Sequence, residues 1–328
     1  MEKKLKNLDW LWLIGGVIYG VLLRYTFGKF SHAVDGPMSL AFLIATPVTV
    51  GAITIFSARK NNPSGLYMTF FPWITTALML LGCAITMMEG AICIAILSPL
   101  FLICSSIGGL IMGYSLRALK GNENNLKAIV VLPLLIMLGE SNIPLQERNM
   151  EIRQAITVNA EPKIIWNQII TAKQIRADEL PFSITHLIGV PKPVEGINIE
   201  TENGEVRFSK WEKGVNFQAK VMSKHEYKSI TWHYIFNQDS FPAGSMDDHV
   251  AIGGKYFDLN DTTFNLIPID AGKTQLEIIA HFRVNSAVNF YALPVSELLG
   301  SDFINTILTL YKNRSENENM ENNKIAAR

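Results

Sequence analysis

Long uninterrupted apolar runs constrain the first part of this chain more than any other feature. Up to about Gly139 the sequence is dominated by Leu, Ile, Ala, Gly, Met and Phe, whereas charged residues return at ordinary density from Glu140 onward. A helix needs about 20 apolar residues to cross about 30 Å of hydrocarbon, and its backbone polar groups must be hydrogen-bonded within the helix. The sequence therefore predicts a membrane domain over residues 1–145, an all-α transmembrane bundle, followed by a separate water-soluble domain.

About five segments of the membrane domain are predicted to be transmembrane helices. Four are long and apolar, while the fifth contains Pro133 and has only about 12 apolar residues. Several segment ends carry Trp or Tyr, which favour the headgroup region of a bilayer. The expected spans are Trp10–Leu23, Met38–Phe56, Leu66–Met88, Ala91–Leu116 and Ala128–Gly139.

Basic residues cluster in alternate connecting segments, and the positive-inside rule places such segments in the cytoplasm. Five crossings then put the C-terminal domain outside the cytoplasm, whereas four crossings leave it inside. We expect an integral protein of the bacterial inner membrane with a cytoplasmic N-terminus and an extracytoplasmic C-terminal domain. The residues that determine this orientation are Lys3, Lys4, Lys6, Arg59, Lys60, Arg117, Lys120 and Lys127.

The membrane domain offers few groups for chemistry. Pumps and transporters depend on intramembrane carboxylates, histidines or arginines. Glu89 is the only acidic residue among the second to fourth spans, and we expect it to mark a turn. All three cysteines and the pairs Gly15–Gly16 and Gly108–Gly109 lie in apolar segments, where small residues favour close helix packing. A structural role is therefore favoured over ion coupling, metal binding or redox chemistry.

The second domain is predicted to span 146–316 and to contain mainly alternating, half-buried strands. One or two short helices follow the first strand, a two-residue hairpin at Glu212–Lys213 joins two later strands, and a long helix at Ser296–Asn313 ends the domain. Residues 317–328 are rich in Asn and Glu and are expected to be disordered. The predicted strands are Arg153–Val158, Glu205–Trp211, Gly214–Met222, Ser229–Phe236, Ala251–Leu259, Thr262–Ile269 and Thr274–Val284.

This order of elements resembles the SRPBCC or START-like superfamily of polyketide cyclases, dehydrases and lipid-transport domains. The stretch ITVNAEPKIIWNQII is similar to the superfamily's strand–Ala–x–Pro–x–x–x–Trp entry, carried here by Ala160, Pro162 and Trp166. Further similar segments are Gly204–Val221 and Phe264–Phe282, and Met88–Leu100 looks like part of a membrane region that precedes such domains in some bacterial proteins.

The resemblance implies an α+β helix-grip fold, in which a curved antiparallel sheet grips a long C-terminal helix. It also implies an apolar cavity that holds a lipid, polyketide or other hydrophobic small molecule, and it implies no cofactor. Strand alternation and the helix stripe point to nine side chains that would line this cavity or, alternatively, pack a solid core. These residues are Phe208, Phe217, Trp232, Tyr234, Ile278, Phe282, Phe303, Ile307 and Leu308.

Polar residues of the second domain do not form a recognisable catalytic or metal-binding motif. Its histidines occur singly, without HxxxH or HExxH spacing. Met246–His249 combines two carboxylates with an imidazole, and a solvated loop is favoured there over a general base. Arg207, Glu277, His281 and Arg283 are expected on the outer face of the sheet in cross-strand ion pairs. No basic stripe suited to nucleic acid is present.

Three functions are consistent with this pattern. The favoured one is a membrane-anchored binding or transfer module for a hydrophobic ligand, because a cavity-forming fold is indicated and a catalytic constellation is not. The second is a cyclase- or hydrolase-like enzyme that uses the same cavity. The third is a receptor or scaffold with a protein partner. A fold by itself does not decide among them.

Overall fold

The computed structural model describes residues 10–29, 36–118, 124–140, 145–202, 204–247 and 250–326. The chain divides into two compact units, which we name the helical unit (Met1–Gln146 and Ser286–Tyr291) and the grip unit (Glu147–Asn285 and Ala292–Arg328). The residues Lys3, Lys4, Lys6, Lys120, Asp248 and His249, which entered the predictions of orientation and of an acidic loop, lie outside the described residues.

The helical unit contains fewer membrane-length helices than the sequence suggested. By length and composition, three helices of the described residues are long and apolar enough to cross a membrane: Trp10–Lys29, Gly65–Ile85 and Ala91–Ala118. The second and fifth predicted spans form shorter helices, so helix length alone supports three of the five. The helices are α1 (Trp10–Lys29), α2 (Thr46–Ser57, preceded by a π-helical turn at Ala41–Ala45), α3 (Gly65–Ile85), α4 (Ala91–Ala118) and α5 (Asn124–Glu140).

Helix α2 packs against α4 through glycines. A Cβ atom at Gly51 would lie 1.9 Å from the carbonyl oxygen of Ser105, and one at Gly108 would lie 1.8 Å from that of Val48. Two helix backbones approach this closely only where the facing residue has no side chain. Nearly every side chain of α2 is consequently buried, and the predicted packing role of Gly108 is confirmed.

Arg24 and Glu89 form an ion pair inside the helical unit. The two side chains are only 8% and 6% exposed. Arg24 Nη2 also donates to the carbonyl oxygen of Met88 at 2.6 Å, and the guanidinium lies 6.0 Å from the centre of the Phe42 ring. Glu89 therefore has a local partner for its charge, which supports the structural role expected for it.

The described residues of the grip unit form a curled sheet, two short α-helices and most of a 38-residue C-terminal helix. Its strands lie in the order β1-β8-β7-β6-β5-β4-β3-β2, and the pairings from β2 to β8 are antiparallel. This arrangement is consistent with the predicted helix-grip fold. The strands are β1 (Gln146–Val158), β2 (Thr171–Ala172), β3 (Pro193–Thr201), β4 (Gly204–Trp211), β5 (Asn216–His225), β6 (Ser229–Ile235), β7 (Phe257–Asp270) and β8 (Lys273–Ser286); the helices are α6 (Pro162–Ile170), α7 (Ile184–Leu187) and α8 (Asn289–Ala326).

Two of the predicted strands differ from those observed. Strand β3 was not predicted, since Gly196 and several polar side chains interrupt its apolar alternation. The predicted strands Ala251–Leu259 and Thr262–Ile269 are wrong as two separate strands. Residues 251–256 form turns, and one strand, β7, runs from Phe257 to Asp270. A register shift between Leu259 and Asp261 marks an irregularity in its pairing with β8.

The C-terminal helix is longer than expected at both ends. It begins at Asn289 rather than Ser296, and it includes residues 317–326, which composition had suggested would be disordered. The polar side chains of this extension bind the start of the grip unit. Glu316 accepts hydrogen bonds from the Asn159 backbone and side chain at 2.8 Å, and Glu318 accepts one from Gln168 at 2.7 Å. Tertiary hydrogen bonds thus order a segment whose composition alone favours disorder.

Candidate functional site

The sheet face covered by α8 carries most of the predicted lining residues. Trp232 is 1% exposed and belongs to the main core cluster, in which it packs edge-on against Phe264 with a ring separation of 5.1 Å. Eight of the nine predicted residues lie between sheet and helix or at the edge of that space. Phe217, Trp232, Ile278, Phe282 and Leu308 are buried, whereas Tyr234, Phe303 and Ile307 keep part of their surface accessible.

Phe208 does not belong to this group, and Arg207 takes the inward position on β4. Arg207 lies opposite Ala219, which is fully buried, whereas Phe208 lies opposite the exposed Gln218. Residues directly opposite each other in antiparallel strands share a face of the sheet. The assignments of Phe208 to the inner face and of Arg207 to the outer face are therefore wrong.

The cause of this error is the length of the β4–β5 connection. A two-residue turn at Glu212–Lys213 would pair Phe208 with Phe217. The turn instead comprises Glu212–Gly214, closed by a hydrogen bond of 2.8 Å from the Trp211 nitrogen to the Val215 oxygen. One added residue shifts the register by one and moves every side chain of the strand to the opposite face.

Arg207 is buried and held by uncharged groups. Nη1 donates to the carbonyl oxygen of Ile169 at 2.8 Å and to Asn198 Oδ1 at 3.1 Å, and Nη2 donates to the Tyr311 hydroxyl at 3.1 Å. Its guanidinium carbon lies 4.6 Å from the centre of the Trp232 ring. The Tyr311 bond places the guanidinium between the sheet and α8.

Small residues make room for the guanidinium. A Cβ atom at Gly196, on β3, would lie 2.3 Å from Arg207 Nη2. On β5, Ala219 separates Arg207 from Tyr234 in the register of the sheet. A larger residue at either position would occupy the space that the guanidinium uses.

No carboxylate forms an ion pair with Arg207 within the described part of the chain. The nearest link to one is indirect, since Asn198 Nδ2 donates to Glu205 Oε1 at 3.0 Å. The other oxygen of Glu205 forms an ion pair of 2.6 Å with Lys224. The positive charge of Arg207 is thus balanced only by neutral dipoles, including the carbonyl of Ile169 at the C-terminal end of α6.

Aromatic rings gather in the part of the same interior that lies toward the β4–β5 turn. We name Trp211, Phe217, Tyr234, Phe236 and Phe303 the aromatic cluster. Neighbouring rings in it lie 5.1–6.0 Å apart, among them the pair Trp211–Phe303 at 5.3 Å, which joins β4 to α8. Several of these rings remain partly accessible although they lie inside the sheet–helix interior.

Tyr234 combines depth with accessibility. Burial raises the pKa of its hydroxyl, which is hydrogen-bonded to Thr262. Part of its surface is nevertheless accessible. An inward-facing side chain with accessible surface is not fully enclosed by close-packed neighbours. Trp232 lies two residues before Tyr234 on β6. Its Nε1 is buried and has no hydrogen-bond partner among the described residues.

His186 and Asp302 are titratable side chains that lie beside the aromatic cluster. The His186 ring lies 5.7 Å from that of Phe303, its Nδ1 is 3.0 Å from the Val190 oxygen, and its Nε2 is buried without a partner in the described structure. Burial lowers the pKa of His186, so a neutral imidazole is favoured. Asp302 accepts hydrogen bonds from Ser183 Oγ at 2.5 Å and the Thr185 nitrogen at 2.9 Å, a capping role rather than a catalytic one.

The outer face of the sheet carries the expected ion pairs. Glu277 pairs with Arg153 at 3.7 Å, His281 lies 3.2 Å from Glu151, and Arg283 pairs with Asp258 at 3.7 Å. Within the described ranges, no group of three or more His, Cys, Asp or Glu side chains is placed to hold a metal ion. The polar groups of the interior are therefore the features that distinguish this unit chemically.

Comparisons with solved structures give matches at low identity over about half of the chain. The Zhui aromatase/cyclase from Streptomyces sp. R1128 is 12% identical, with a TM-score of 0.33, over 52% of this chain and 94% of that one. A START superfamily protein from Mycobacterium smegmatis is 13% identical, with a TM-score of 0.34, over 51% and 97%. Norcoclaurine synthase from Thalictrum flavum, in complex with dopamine and hydroxybenzaldehyde, is 12% identical, with a TM-score of 0.31, over 51% and 86%. No family model and no curated protein matches the chain.

Proposed function

We propose that this protein is a membrane-anchored binding or transfer module whose grip unit holds a lipid or another hydrophobic small molecule between its sheet and α8. The observation that carries this proposal is Tyr234, an inward-facing side chain of the sheet that keeps accessible surface. Phe217, Phe303 and Ile307 extend the same apolar lining. Ligand sites of this kind are mostly apolar and contain a few placed polar groups, which Arg207 and Tyr234 would supply.

The proposed anchor is the helical unit. Large apolar side chains point outward along its three long helices, for example Leu11 at 81% exposed, Leu66 at 75% and Ile103 at 57%. Such surfaces are costly in water and favourable in hydrocarbon. We propose five crossings of a bacterial inner membrane, with the N-terminus cytoplasmic and the grip unit outside.

A pair of matched variants tests ligand binding. Phe217→Ala removes an inward ring, whereas Phe208→Ala removes the same ring from the opposite face of the sheet one strand away. The full chain, held in amphipol, is titrated with the neutral fluorescent probe N-phenyl-1-naphthylamine. We expect saturable binding that Phe217→Ala weakens and Phe208→Ala leaves unchanged. Equal effects of the two substitutions, or no saturable binding by the unsubstituted protein, would contradict the proposal.

Topology is tested by fusing a reporter that is active only outside the cytoplasm to the C-terminus. The five-crossing arrangement predicts an active fusion. Activity of a cytoplasm-specific reporter at the same position would contradict it and favour an even number of crossings. Native mass spectrometry of the purified full chain would then identify any lipid that remains bound.

A further inference from the structure

We infer that the ligand is an amphipathic acid, whose carboxylate binds Arg207 and whose apolar body extends toward the aromatic cluster. This inference rests on the proposed function and specifies the chemistry of the same site. It follows from three features of the grip unit. Within the part of the chain that the structure describes, a buried cation has no anionic partner and a nearby donor has no acceptor, and an apolar track leads away from both.

The first feature is the uncompensated charge of Arg207. A guanidinium has five N–H donors and no acceptor, and it stays charged at physiological pH. Three hydrogen bonds to neutral oxygens satisfy part of this capacity. A buried charge is costly unless an opposite charge accompanies it. Among the described residues, the only carboxylate connected to this network is Glu205, which reaches it through Asn198 and is itself paired with Lys224.

The second feature is the indole of Trp232. Its Nε1–H is fully buried, on a side chain that is 1% exposed, and it has no acceptor among the described residues. The Arg207 guanidinium covers the ring of the same residue at 4.6 Å. Indole nitrogen is a donor only, and buried donors in native proteins are nearly always paired. A donor and a cation in contact therefore call for an acceptor that carries negative charge.

The third feature is the distance from Arg207 and Tyr311 to Trp211 and Phe303, two rings of the aromatic cluster. Arg207 and Trp211 share a face of β4 four residues apart, a span of about 13 Å in a strand. Tyr311 and Phe303 lie eight residues apart on α8, about 12 Å in a helix. Arg207 is hydrogen-bonded to Tyr311, and Trp211 packs against Phe303. Strand β4 and helix α8 therefore run side by side between these two contacts and border one track of about the same length. A molecule with one anionic end and an apolar body matches it.

The test compares an acid with its neutral ester. Dodecanoic acid and methyl dodecanoate compete with the fluorescent probe for the full chain in amphipol. We expect the acid to bind at least about tenfold more tightly than the ester, because a carboxylate–guanidinium hydrogen bond is among the stronger ones in proteins. Arg207→Gln should abolish this preference, so that acid and ester bind with similar affinity. Arg283→Gln, which removes an arginine from the outer face, should change neither affinity.

Each outcome separates the inference from the proposed function. Equal binding of acid and ester by the unsubstituted chain would overturn the inference while the proposed function stands, and this comparison remains decisive even if Arg207→Gln does not fold. A preference for the acid that survives in Arg207→Gln would likewise overturn it. Displacement by acetate as effective as by dodecanoic acid would show a small-anion site and contradict the amphipathic ligand. Absence of binding by probe, acid and ester would contradict the proposed function itself.

Discussion

The interiors of the two units differ in how closely they are packed and in how their buried charges are paired. In the helical unit, backbones touch at Gly51 and Gly108, and the buried Arg24 is paired with Glu89. In the grip unit, the buried Arg207 has no anionic partner within the described residues, and the inward-facing Tyr234 keeps accessible surface. Close packing with paired charges suits a scaffold or an anchor. A buried cation without an anionic partner among the described residues, beside accessible apolar surface, suits a unit that binds a ligand.

The first prediction concerns the close packing inside the helical unit and has the largest expected effect on stability. Gly108→Leu would place a side chain where a Cβ alone lies 1.8 Å from the Val48 carbonyl oxygen. Because that obstacle is backbone, we expect a loss of about 3 kcal/mol or more, at the upper end for overpacked cores. Thermal unfolding of the full chain in detergent measures it. Gly15→Ala is the control, since no atom of the described residues lies within 4 Å of its Cβ position. Equal losses from both substitutions would refute this account of the packing.

A second substitution sharpens the comparison inside the grip unit. Trp232→Ala removes a side chain that is 1% exposed and touches Phe264 and Arg207. We expect the full loss of about 3–5 kcal/mol that is typical of emptying a packed aromatic site. Trp211→Ala, in the partly accessible aromatic cluster, should cost clearly less in the same unfolding measurement. A small loss for Trp232→Ala would show that this ring is not closely packed against its neighbours.

The sequence predicted architecture better than it predicted the site. Regular alternation from Val215 to Val221 and the apolar stripe of α8 correctly indicated the sheet, the helix and most inward positions, because both patterns reflect burial directly. Arg207 was missed because its inward position depends on one residue in a turn, which composition does not reveal. The register of β5, whose alternation is unambiguous, together with a three-residue turn would have identified it.

The ends of α8 show a different limit of sequence reasoning. The segment after Ser315 has too few apolar residues to predict a packed helix, and its helical state depends on partners far away in sequence, such as Asn159. Hydrogen bonds of Glu316 and Glu318 to the β1–α6 region supply those partners. Long-range polar contacts leave no periodic signal, so they become visible only in the folded chain.

A third, smaller effect concerns the link between α8 and α7. Asp302 accepts hydrogen bonds from Ser183 and Thr185 at the start of α7, and these bonds outweigh burial and hold the pKa of its carboxyl below the usual range. Asp302→Ala should destabilise the protein by about 1–2 kcal/mol, the usual range for loss of a helix cap. Asp302→Asn, which keeps one acceptor, should lose less. Equal losses for Ala and Asn, measured by thermal unfolding, would show that accepting hydrogen bonds is not the role of this side chain.

The smallest expected effect is a pH dependence that arises in the grip unit. Burial lowers the pKa of His186 below its ordinary value of about 6.5. Between the lowered pKa and that ordinary value the unfolded chain binds a proton that the folded chain does not. The stabilisation is therefore complete above pH of about 6.5 and is lost as the pH falls toward the folded pKa. Asp302 contributes at lower pH, since its own pKa is depressed.

His186→Gln should accordingly flatten the dependence of the unfolding temperature on pH between about 8 and 5, because Gln does not take up a proton. At neutral pH the substitution should matter less than Asp302→Ala, since the Nε2 it replaces has no partner among the described residues. His225→Gln, at an exposed position on β5, is the matched control and should leave the pH profile as it is. If the His186 variant retained the full acid sensitivity, the buried neutral imidazole would not be its source, and the acidic groups around α8 would have to account for it.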